Sequence, residues 1–451
     1  MNFAALSNLT RLKALLPADS LLRNKNYFRM WIAATVSVLG GSVSQLALPL
    51  TAVHILHASA GQMGILFACG VLPFVFFSLP AGVWLDRGGK RKVIVAFNLL
   101  GCAALALVPL AVIFGVLSMR LLYAVDFLVG TGFCIGGSAA QIFITQLVGR
   151  DRLVDANSKL ASATSMAGLV GPVLAGMLVG WLGAPTAVAL DALAFLVAAV
   201  LVWSIVFREA APAASANPVL ADVAAGLRFV WLHPLLRTFA LMAAMFILLF
   251  HGFMALYVLH ATRELHFTPS QLALVNTFAA LGALLGATSV HGLNRRIGKH
   301  AVIVLGLAFT ALGILAFSQV PQGTWAVTLA GAAMLLVEAG ATAYTVNYLA
   351  MRQMVTPDAM LGRMTTTMRF LSVSAAPIGS VLSGYCADRF GIAPVLESLG
   401  LGAIAATLLT RWMLQKVLAE DTRGVGMTHE HAPAKQPLVS IEPMNQEVKS
   451  N

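Results

Sequence analysis

Charged residues are scarce in this sequence of 451 residues, since Asp, Glu, Lys and Arg together make up 10% of it. Soluble domains carry about 25% charged residues, so the composition excludes an ordinary soluble globular chain. Cysteine is also scarce: Cys69, Cys102, Cys134 and Cys386 are scattered inside apolar stretches without C-x-x-C spacing. That spacing indicates small packing residues rather than disulfides or metal ligands.

The sequence also lacks the short motifs of several enzyme classes. H-E-x-x-H, G-x-S-x-G and G-x-x-x-x-G-K-[ST] are missing, which removes the visible signatures of zinc hydrolysis, acyl transfer and ATP binding. The sequence H-E-H at 429–431 could bind a metal, but it lies in a polar stretch with proline that favours solvated disorder. We therefore expect no enzyme, no resident metal and no cofactor, and any transport must use an ion gradient or run downhill.

Long apolar stretches dominate what is present, with 59% hydrophobic residues and a mean hydropathy of +0.85. A membrane-spanning helix needs about 20 mostly apolar residues, and such stretches follow one another with short connections. The sequence predicts an all-α membrane protein with twelve spanning helices. Their predicted ranges are about 31–54, 61–85, 92–116, 121–148, 160–183, 185–207, 235–261, 268–292, 301–319, 324–350, 365–387 and 393–415.

The formal net charge of +11 has a one-sided distribution along these helices. If the N-terminus lies in the cytoplasm, every Lys and Arg except Arg120, Arg263 and Arg389 falls on a cytoplasmic segment. Basic residues favour that side of a membrane, where they can also lie near anionic headgroups. We therefore expect a lipid bilayer rather than nucleic acid as the partner of these charges, with both termini cytoplasmic.

A change of composition after the sixth predicted helix divides the chain into two halves. The sequence D-R-G-G-K-R at 86–91 has an echo in R-R-I-G-K-H at 295–300, at the same place in each half. The predicted organisation is an N-terminal segment at 1–30, a six-helix half at 31–207, a central linker at 208–234, a second half at 235–415 and a disordered tail at 416–451. For the N-terminal segment, an interfacial amphipathic helix and disorder both remain open.

The loop between predicted helices 2 and 3 concentrates charge in an otherwise apolar region. Gly82 and Asp86 are four residues apart and share a helix face, so a neighbouring helix can approach the glycine and present its positive N-terminal end to the carboxylate. A contact made in only one conformation would bias a two-state equilibrium. The loop is therefore a candidate gate, and a loop that only sets topology is the alternative; its residues are Gly82, Asp86, Arg87, Gly89, Lys90 and Arg91.

The same string, G-x-x-x-D-R-x-G, recurs at 384–391 after the eleventh predicted helix. That position lies on the opposite side of the membrane from the first copy, so it cannot perform the same role. We expect Asp388 and Arg389 to form a turn at the end of a helix.

The first copy resembles the signature loop of the major facilitator superfamily. The resemblance extends over residues 28–50, 153–176 and 352–384, which are similar to the branch that contains the enterobactin exporter and macrolide efflux proteins. It implies two pseudo-repeated six-helix halves, alternating access, helix 11 as the neighbour of Asp86, and a place in the inner membrane of a bacterium. It also favours export of siderophores or drugs.

A second motif lies in predicted helix 5, where G-P-V-L-A-G at 171–176 resembles a motif associated with antiporters in this superfamily. A proline removes a backbone donor and kinks a helix, and glycines let another helix pack closely. The sequence A-P-I-G-S-V-L-S-G at 376–384 echoes it in helix 11. The candidate hinge, with packing alone as the alternative, consists of Gly171, Pro172, Gly176 and Pro377.

Ionisable residues inside spanning helices are costly and become functional candidates. Glu338 lies about 20 Å from the outer end of predicted helix 10, on roughly the same face as Thr342 and Thr345. Because helices 1, 4, 7 and 10 line the cavity in the superfamily, the resemblance adds polar residues from those helices. The candidate cavity residues are Gln45, Asp126, Gln141, His251, Glu338, Thr342 and Thr345.

A carboxyl group in apolar surroundings can bind a proton near neutral pH, as proton antiport requires. Glu338 and Asp126 are both candidates, although Asp126 could instead be hydrated and His251 could be a neutral packing residue; Asp191 in predicted helix 6 is assigned to structure. We predict a monomeric, proton-coupled exporter of amphipathic small molecules. Uptake by symport and a non-transporting scaffold or sensor are the alternatives.

Overall fold

The computed structural model describes residues 20–87, 89–209, 219–357 and 360–430, and it describes no side chains at 79–87, 150, 219–224 and 418–430. In this part of the chain, twelve helices are long and apolar enough to span a membrane, which confirms the predicted fold class. The spanning helices are α1 (Lys25–His54), α2 (Ala60–Arg87), α3 (Lys90–Ile113), α4 (Met119–Val148), α5 (Leu153–Leu182), α6 (Ala184–Trp203), α7 (Pro234–Arg263), α8 (Pro269–Ile297), α9 (Lys299–Ser318), α10 (Ala326–Met354), α11 (Leu361–Phe390) and α12 (Ile392–Glu430).

Several helices begin or end at residues other than those predicted from hydropathy, because capping hydrogen bonds and helix propensity determine where a helix begins and ends. α1 begins at Lys25 rather than 31 because the Asn24 side chain accepts hydrogen bonds from the backbone N–H groups of Asn26 and Tyr27. α12 continues to Glu430, so the structure describes the first part of the expected tail as helix. Residues 416–420 include Lys, Leu, Ala and Glu and no proline, and these four residue types favour a helix although they are not all apolar.

The two halves repeat one another in the connection before their last helix. Gly183 alone joins α5 to α6 with φ +80°, and Gly391 alone joins α11 to α12 with φ +90°. Glycine adopts this left-handed region without steric cost. The same single-residue turn therefore lies at equivalent places in both six-helix halves.

Two pairs of helices make the most extensive contacts between the halves, and α7 also packs against α2. α2 packs against α11, and α5 packs against α8. We call the membrane face with the α2–α3 and α6–α7 connections the linker end, and the face with the α1–α2 and α7–α8 connections the far end. These names describe the molecule alone, whichever compartment each end faces.

The hydrophobic core has three parts, and their positions differ between the two ends. One part contains residues of both halves and lies toward the far end, from Val43 and Met63 in the first half to Phe253 and Leu396 in the second. Toward the linker end, the N-terminal half has its own core around Phe143. The C-terminal half has a separate core of residues between 230 and 414. The halves thus share buried apolar side chains at the far end, while the described buried apolar side chains toward the linker end form a separate core in each half.

A separate helix, Val219–Leu232, lies before α7, and we call it the linker helix. Its Val230 is fully buried within the linker-end core of the C-terminal half. A Cβ atom added at Gly226 would overlap the Thr367 hydroxyl of α11. The linker helix is therefore packed as a part of the C-terminal half.

Two spanning helices depart from regular α-helix. α11 breaks at Ser374, between Leu361–Val373 and Ala375–Phe390, because Pro377 has no N–H and its ring crowds the carbonyl group four residues earlier. α4 contains a π-helical turn at Gly132–Gly136. The sequence indicated a candidate hinge at Pro377 of helix 11 but no interruption in helix 4.

Candidate functional site

The start of α3 is held by the end of α6 and by the segment that follows it in the same half. The backbone N–H groups of Lys90 and Arg91 donate to the Glu209 carboxylate at 2.5 and 3.1 Å. The Arg91 guanidinium donates to the Ile205 carbonyl and lies 5.8 Å from the centre of the Trp203 ring. A carboxylate at a helix N-terminus satisfies free N–H groups and complements the helix dipole. Glu209 therefore anchors the first turn of α3.

Sequence reasoning identified Gly89, Lys90 and Arg91 in this loop and missed Glu209. The sequence did show an acidic residue just after predicted helix 6, on the same side of the membrane as the charged loop between helices 2 and 3. The side chains of Gly82, Asp86 and Arg87 lie outside the described residues, so the contact expected between Asp86 and helix 11 stays a prediction.

The candidate hinge residues of α5 lie in close packing contacts. Gly171 packs against Ser42 of α1, where an added Cβ would overlap the hydroxyl group. Gly176 faces Ala273 and the Pro269 carbonyl of α8, so it lies where the two halves meet. Pro172 lies within an unbroken α5, whereas Pro377 accompanies the break in α11.

The far end of the molecule carries a polar contact between the halves. Asp388, in the last turn of α11, accepts hydrogen bonds at 3.0 Å from the Gly61 N–H and at 3.0 Å from the Ser59 hydroxyl. Both donors lie at the N-terminus of α2. Beside them, a Cβ on Gly384 would lie 2.5 Å from the Ala60 carbonyl oxygen. We call this set, Ser59, Ala60, Gly61, Gly64, Gly384 and Asp388, the far-end contact.

The far-end contact corrects the expectation for the second G-x-x-x-D-R-x-G string. The expected turn exists, because α11 ends at Phe390 and Gly391 follows with φ +90°, but Asp388 also joins the two halves. The Arg263 guanidinium adds a second link by donating to the Ala58 carbonyl at 2.7 Å. The string therefore brings a carboxylate to a helix N-terminus at the opposite end of the membrane from its first copy.

We expect Asp388→Asn to loosen the far-end contact. Asparagine keeps the shape and one acceptor but loses the negative charge at the α2 N-terminus, an interaction of about 1 kcal/mol that corresponds to about a fivefold change in population. Spin labels at Val116→Cys and Thr324→Cys, in a variant without the native cysteines, measure the separation of the halves at that end. The wider population should grow in Asp388→Asn and not in Glu397→Gln, a matched change at another exposed acid. An equal response in both variants would contradict the role of Asp388.

The candidate cavity residues of α10 have different surroundings. At 1.5 Å per residue, Glu338 lies about 18 Å from Ala326, the far-end start of the helix. It is half-buried, and within the described ranges no side chain donates a hydrogen bond or forms an ion pair with its carboxylate. Thr342 is half-buried and Thr345 is exposed. Glu338 is thus a deep carboxyl group without a described counter-charge.

Asp126 of α4 lies against α2 rather than in open space. A Cβ at Gly70 would be 2.6 Å from the Asp126 Oδ2 atom, and one at Gly130 would overlap the Gly70 carbonyl. Asp126 is only about 10 Å from the far-end start of its helix. No hydrogen bond or ion pair among the described residues joins Asp126 to Glu338, so the structure leaves these two candidates in separate halves.

The remaining cavity candidates are spread over three helices. Gln45 of α1 and Gln141 of α4 are exposed, and His251 of α7 is half-buried beside Phe250. The His251 carbonyl accepts a hydrogen bond from Ser380 of α11 at 3.3 Å. Of these three residues, only His251 is tied to α11 by a described contact.

Arg369 of α11 is an ionisable residue that sequence reasoning missed. It is exposed, and its guanidinium lies 5.6 Å from the centre of the Phe74 ring on α2, in the other half. The signal was present, because an arginine inside an apolar helix is costly. The family resemblance names helices 1, 4, 7 and 10 as the cavity helices, and α11 is not one of those.

Comparisons with known proteins agree with this geometry. A family model described as "Transmembrane secretion effector" matches residues 18–442. The multidrug efflux pump Tap of Mycolicibacterium fortuitum is 30% identical over 398 residues, which cover 83% of this chain and 94% of that protein. Macrolide efflux protein A of Streptococcus pyogenes is 21% identical and covers 81% of this chain and 90% of its own length.

Solved structures share the fold at lower identity. The nucleoside transporter NupG matches with a TM-score of 0.72 at 10% identity, covering 86% of this chain and 98% of its own. A bacterial homologue of the iron transporter ferroportin matches with 0.68 in its inward-facing state, at 17% identity, covering 88% and 99%. Its outward-facing state matches with 0.58 at 16% identity, covering 86% and 98%. These likenesses show that this chain shares their fold.

Proposed function

The chain belongs to the transmembrane secretion effector family of the major facilitator superfamily, and we propose that this membrane transporter exports amphipathic small molecules in exchange for protons. The efflux function of the similar proteins Tap and macrolide efflux protein A supports the direction. Drugs and siderophores are the substrate classes that we propose. Alternating access is the mechanism, because a solute must reach its site from one side at a time.

The arrangement of the hydrophobic core carries this proposal. The halves share a core at the far end and have separate cores at the linker end. A rocking transporter in one of its two end states has this arrangement, since one end is sealed by packing while the other is parted. A scaffold that filled the space between its halves would instead share one core along its whole length.

The two G-x-x-x-D-R-x-G strings serve as opposed gates in this proposal. The far-end contact holds the state that the structure describes, through Asp388 at the α2 N-terminus. In the opposite state, Asp86 and Arg87 at the end of α2 would close the linker end. Each carboxylate then stabilises one state only, which is the condition for biasing a two-state equilibrium.

We propose that Glu338 exchanges the proton, with Asp126 as the second candidate. A deep carboxyl group without a fixed counter-charge can bind a proton when it is enclosed and release it when water reaches it. The chain would lie in the bacterial inner membrane as a monomer with both termini in the cytoplasm. The linker end would then face the cytoplasm, in agreement with the distribution of basic residues.

Substrate-triggered proton flux in sealed liposomes tests the proposal. Purified protein is reconstituted with a pH-sensitive dye inside, a pH gradient is imposed, and ethidium, erythromycin or a catecholate siderophore is added. We expect at least one compound to drive protons in the direction opposite to its own movement. Protons and compound moving together would identify a symporter and overturn the export proposal. Absence of flux and of downhill movement for every compound in folded protein would favour the non-transporting alternative.

A further inference from the structure

Arg369 is a positive charge placed well inside a membrane-spanning helix. At 1.5 Å per residue it lies about 12 Å from Leu361, the linker-end start of α11. A guanidinium at such depth is costly unless it has a partner or faces water. Arg369 is exposed and lies against α2 of the other half, so of these two conditions the second is the one that fits it.

The described contacts of Arg369 are with an aromatic ring and a thiol. Its guanidinium lies over the Phe74 ring of α2 and within electrostatic range of Cys134 in the π-helical turn of α4. Three ion pairs occur in the part of the chain that the structure describes, and Arg369 is in none of them. The charge therefore has a face-on aromatic contact and lacks a carboxylate partner there.

Neither candidate proton carboxyl reaches Arg369 along the membrane normal. Glu338 is about 24 Å from the linker-end limit of α10, and Arg369 is about 12 Å from that of α11. Asp126 is still closer to the far end. Along the membrane normal, Glu338 and Arg369 are therefore about 12 Å apart, whereas the charged atoms of an ion pair lie within about 4 Å. Glu338 and Asp126 thus leave the Arg369 guanidinium free to bind another anion.

Space for such an anion is present beside α4. Gly137 and Gln141 follow the π-helical turn and are four residues apart in regular α-helix, so they share a helix face. A Cβ added at Gly137 would meet no atom within 4 Å, and Gln141 is exposed. The same face of α4 is therefore open toward the linker end, with an amide available for hydrogen bonding. π-helical turns are frequent at functional sites.

We infer that Arg369, Phe74 and Gln141 form a binding site for an anionic group on an aromatic or otherwise planar part of the transported compound. The guanidinium offers a planar pair of donors that fits a carboxylate or similar oxyanion. Phe74 offers a face on which an attached ring can stack. This inference rests on the proposed transport function and specifies its substrate class as acidic amphipathic compounds, with Arg369 selecting against cations.

Equilibrium binding of two dyes tests the inference on the full-length protein. The protein is placed in nanodiscs of zwitterionic phosphatidylcholine, so that lipid charge does not compete, and fluorescence polarisation is measured with anionic carboxyfluorescein and cationic ethidium. We expect Arg369→Gln to weaken carboxyfluorescein binding by about tenfold or more, as for loss of a charge-assisted hydrogen bond. Arg369→Lys should recover part of the loss, because it restores the charge without the planar fork.

Matched variants separate this site from general effects. Arg411→Gln removes another exposed arginine from α12 and should leave both dyes unaffected. Ethidium should bind Arg369→Gln as well as or better than the wild type. Equal carboxyfluorescein binding by wild type and Arg369→Gln would overturn the inference, as would wild-type binding of ethidium alone. In both cases substrate-triggered flux in liposomes would still support the proposed transport function, so the two failures are distinguishable.

Discussion

Replacing Glu338 by glutamine is expected to reduce substrate-coupled proton flux to the level of protein-free liposomes, a loss of at least about tenfold for a group that carries the transported proton. Glutamine keeps the size of the side chain and its ability to form hydrogen bonds, but it cannot bind and release a proton. Glu338 is deep in α10 and has no described partner whose loss would disturb the fold. The variant should therefore still exchange substrate for substrate without a pH gradient.

Two comparison variants give this experiment its controls. Glu397→Gln changes an exposed acid of α12 and should retain wild-type flux. Asp126→Asn is measured in parallel, since Asp126 is the second candidate. Full coupling in Glu338→Gln together with its loss in Asp126→Asn would transfer the proton site to α4. Retained coupling in both variants would exclude each carboxyl group as the site.

Introducing a large side chain at the far-end contact is the second change with a large expected effect. In Gly384→Leu, the Cβ atom alone would lie 2.5 Å from the Ala60 carbonyl oxygen and 3.1 Å from the Cα atoms of Gly61 and Gly64. Overpacking of this kind costs about 1–3 kcal/mol or more. α2 and α11 then cannot close, so we expect net transport to fall to background while the far end stays open.

Distance measurements distinguish a locked transporter from an unfolded one. Spin labels at positions 116 and 324 should give a single wide distance in Gly384→Leu, with the protein still monodisperse in size-exclusion chromatography. Gly168→Leu is the matched control, because a Cβ at Gly168 of α5 would meet no atom within 4 Å. Wild-type transport by Gly384→Leu would show that the far end need not close as the structure describes.

Hydropathy was sufficient to predict the fold because each spanning helix satisfies its backbone groups internally, whatever its neighbours are. Twelve apolar stretches thus became twelve helices. Their ends were harder to predict, since local caps such as Asn24 act at positions that hydropathy does not detect. The break at Ser374 follows from Pro377, but Pro172 leaves α5 unbroken. A proline alone therefore does not reveal which helix breaks.

The contacts between distant segments could not be read from the sequence. Asp388 accepts hydrogen bonds from Ser59 and Gly61, which lie more than 300 positions earlier in the sequence. The motif that contains Asp388 gives no indication of these two partners. Glu209 is similar, because its role depends on α6 ending beside the first turn of α3. Arg369 was detectable from its cost inside a helix, but its proximity to Phe74 depends on how the halves pack.

The packing of the linker helix affects where genes for related proteins can recombine without disrupting the fold. Val230 and Gly226 belong by packing to the C-terminal half, although a division by spanning helices would place them outside it. A gene that recombined just before Pro234 would separate α7 and α11 from a helix that covers their linker-end core. Crossovers between relatives should thus be tolerated ahead of Val219 and selected against between Val219 and Pro234, which makes the inherited module longer than its six membrane spans.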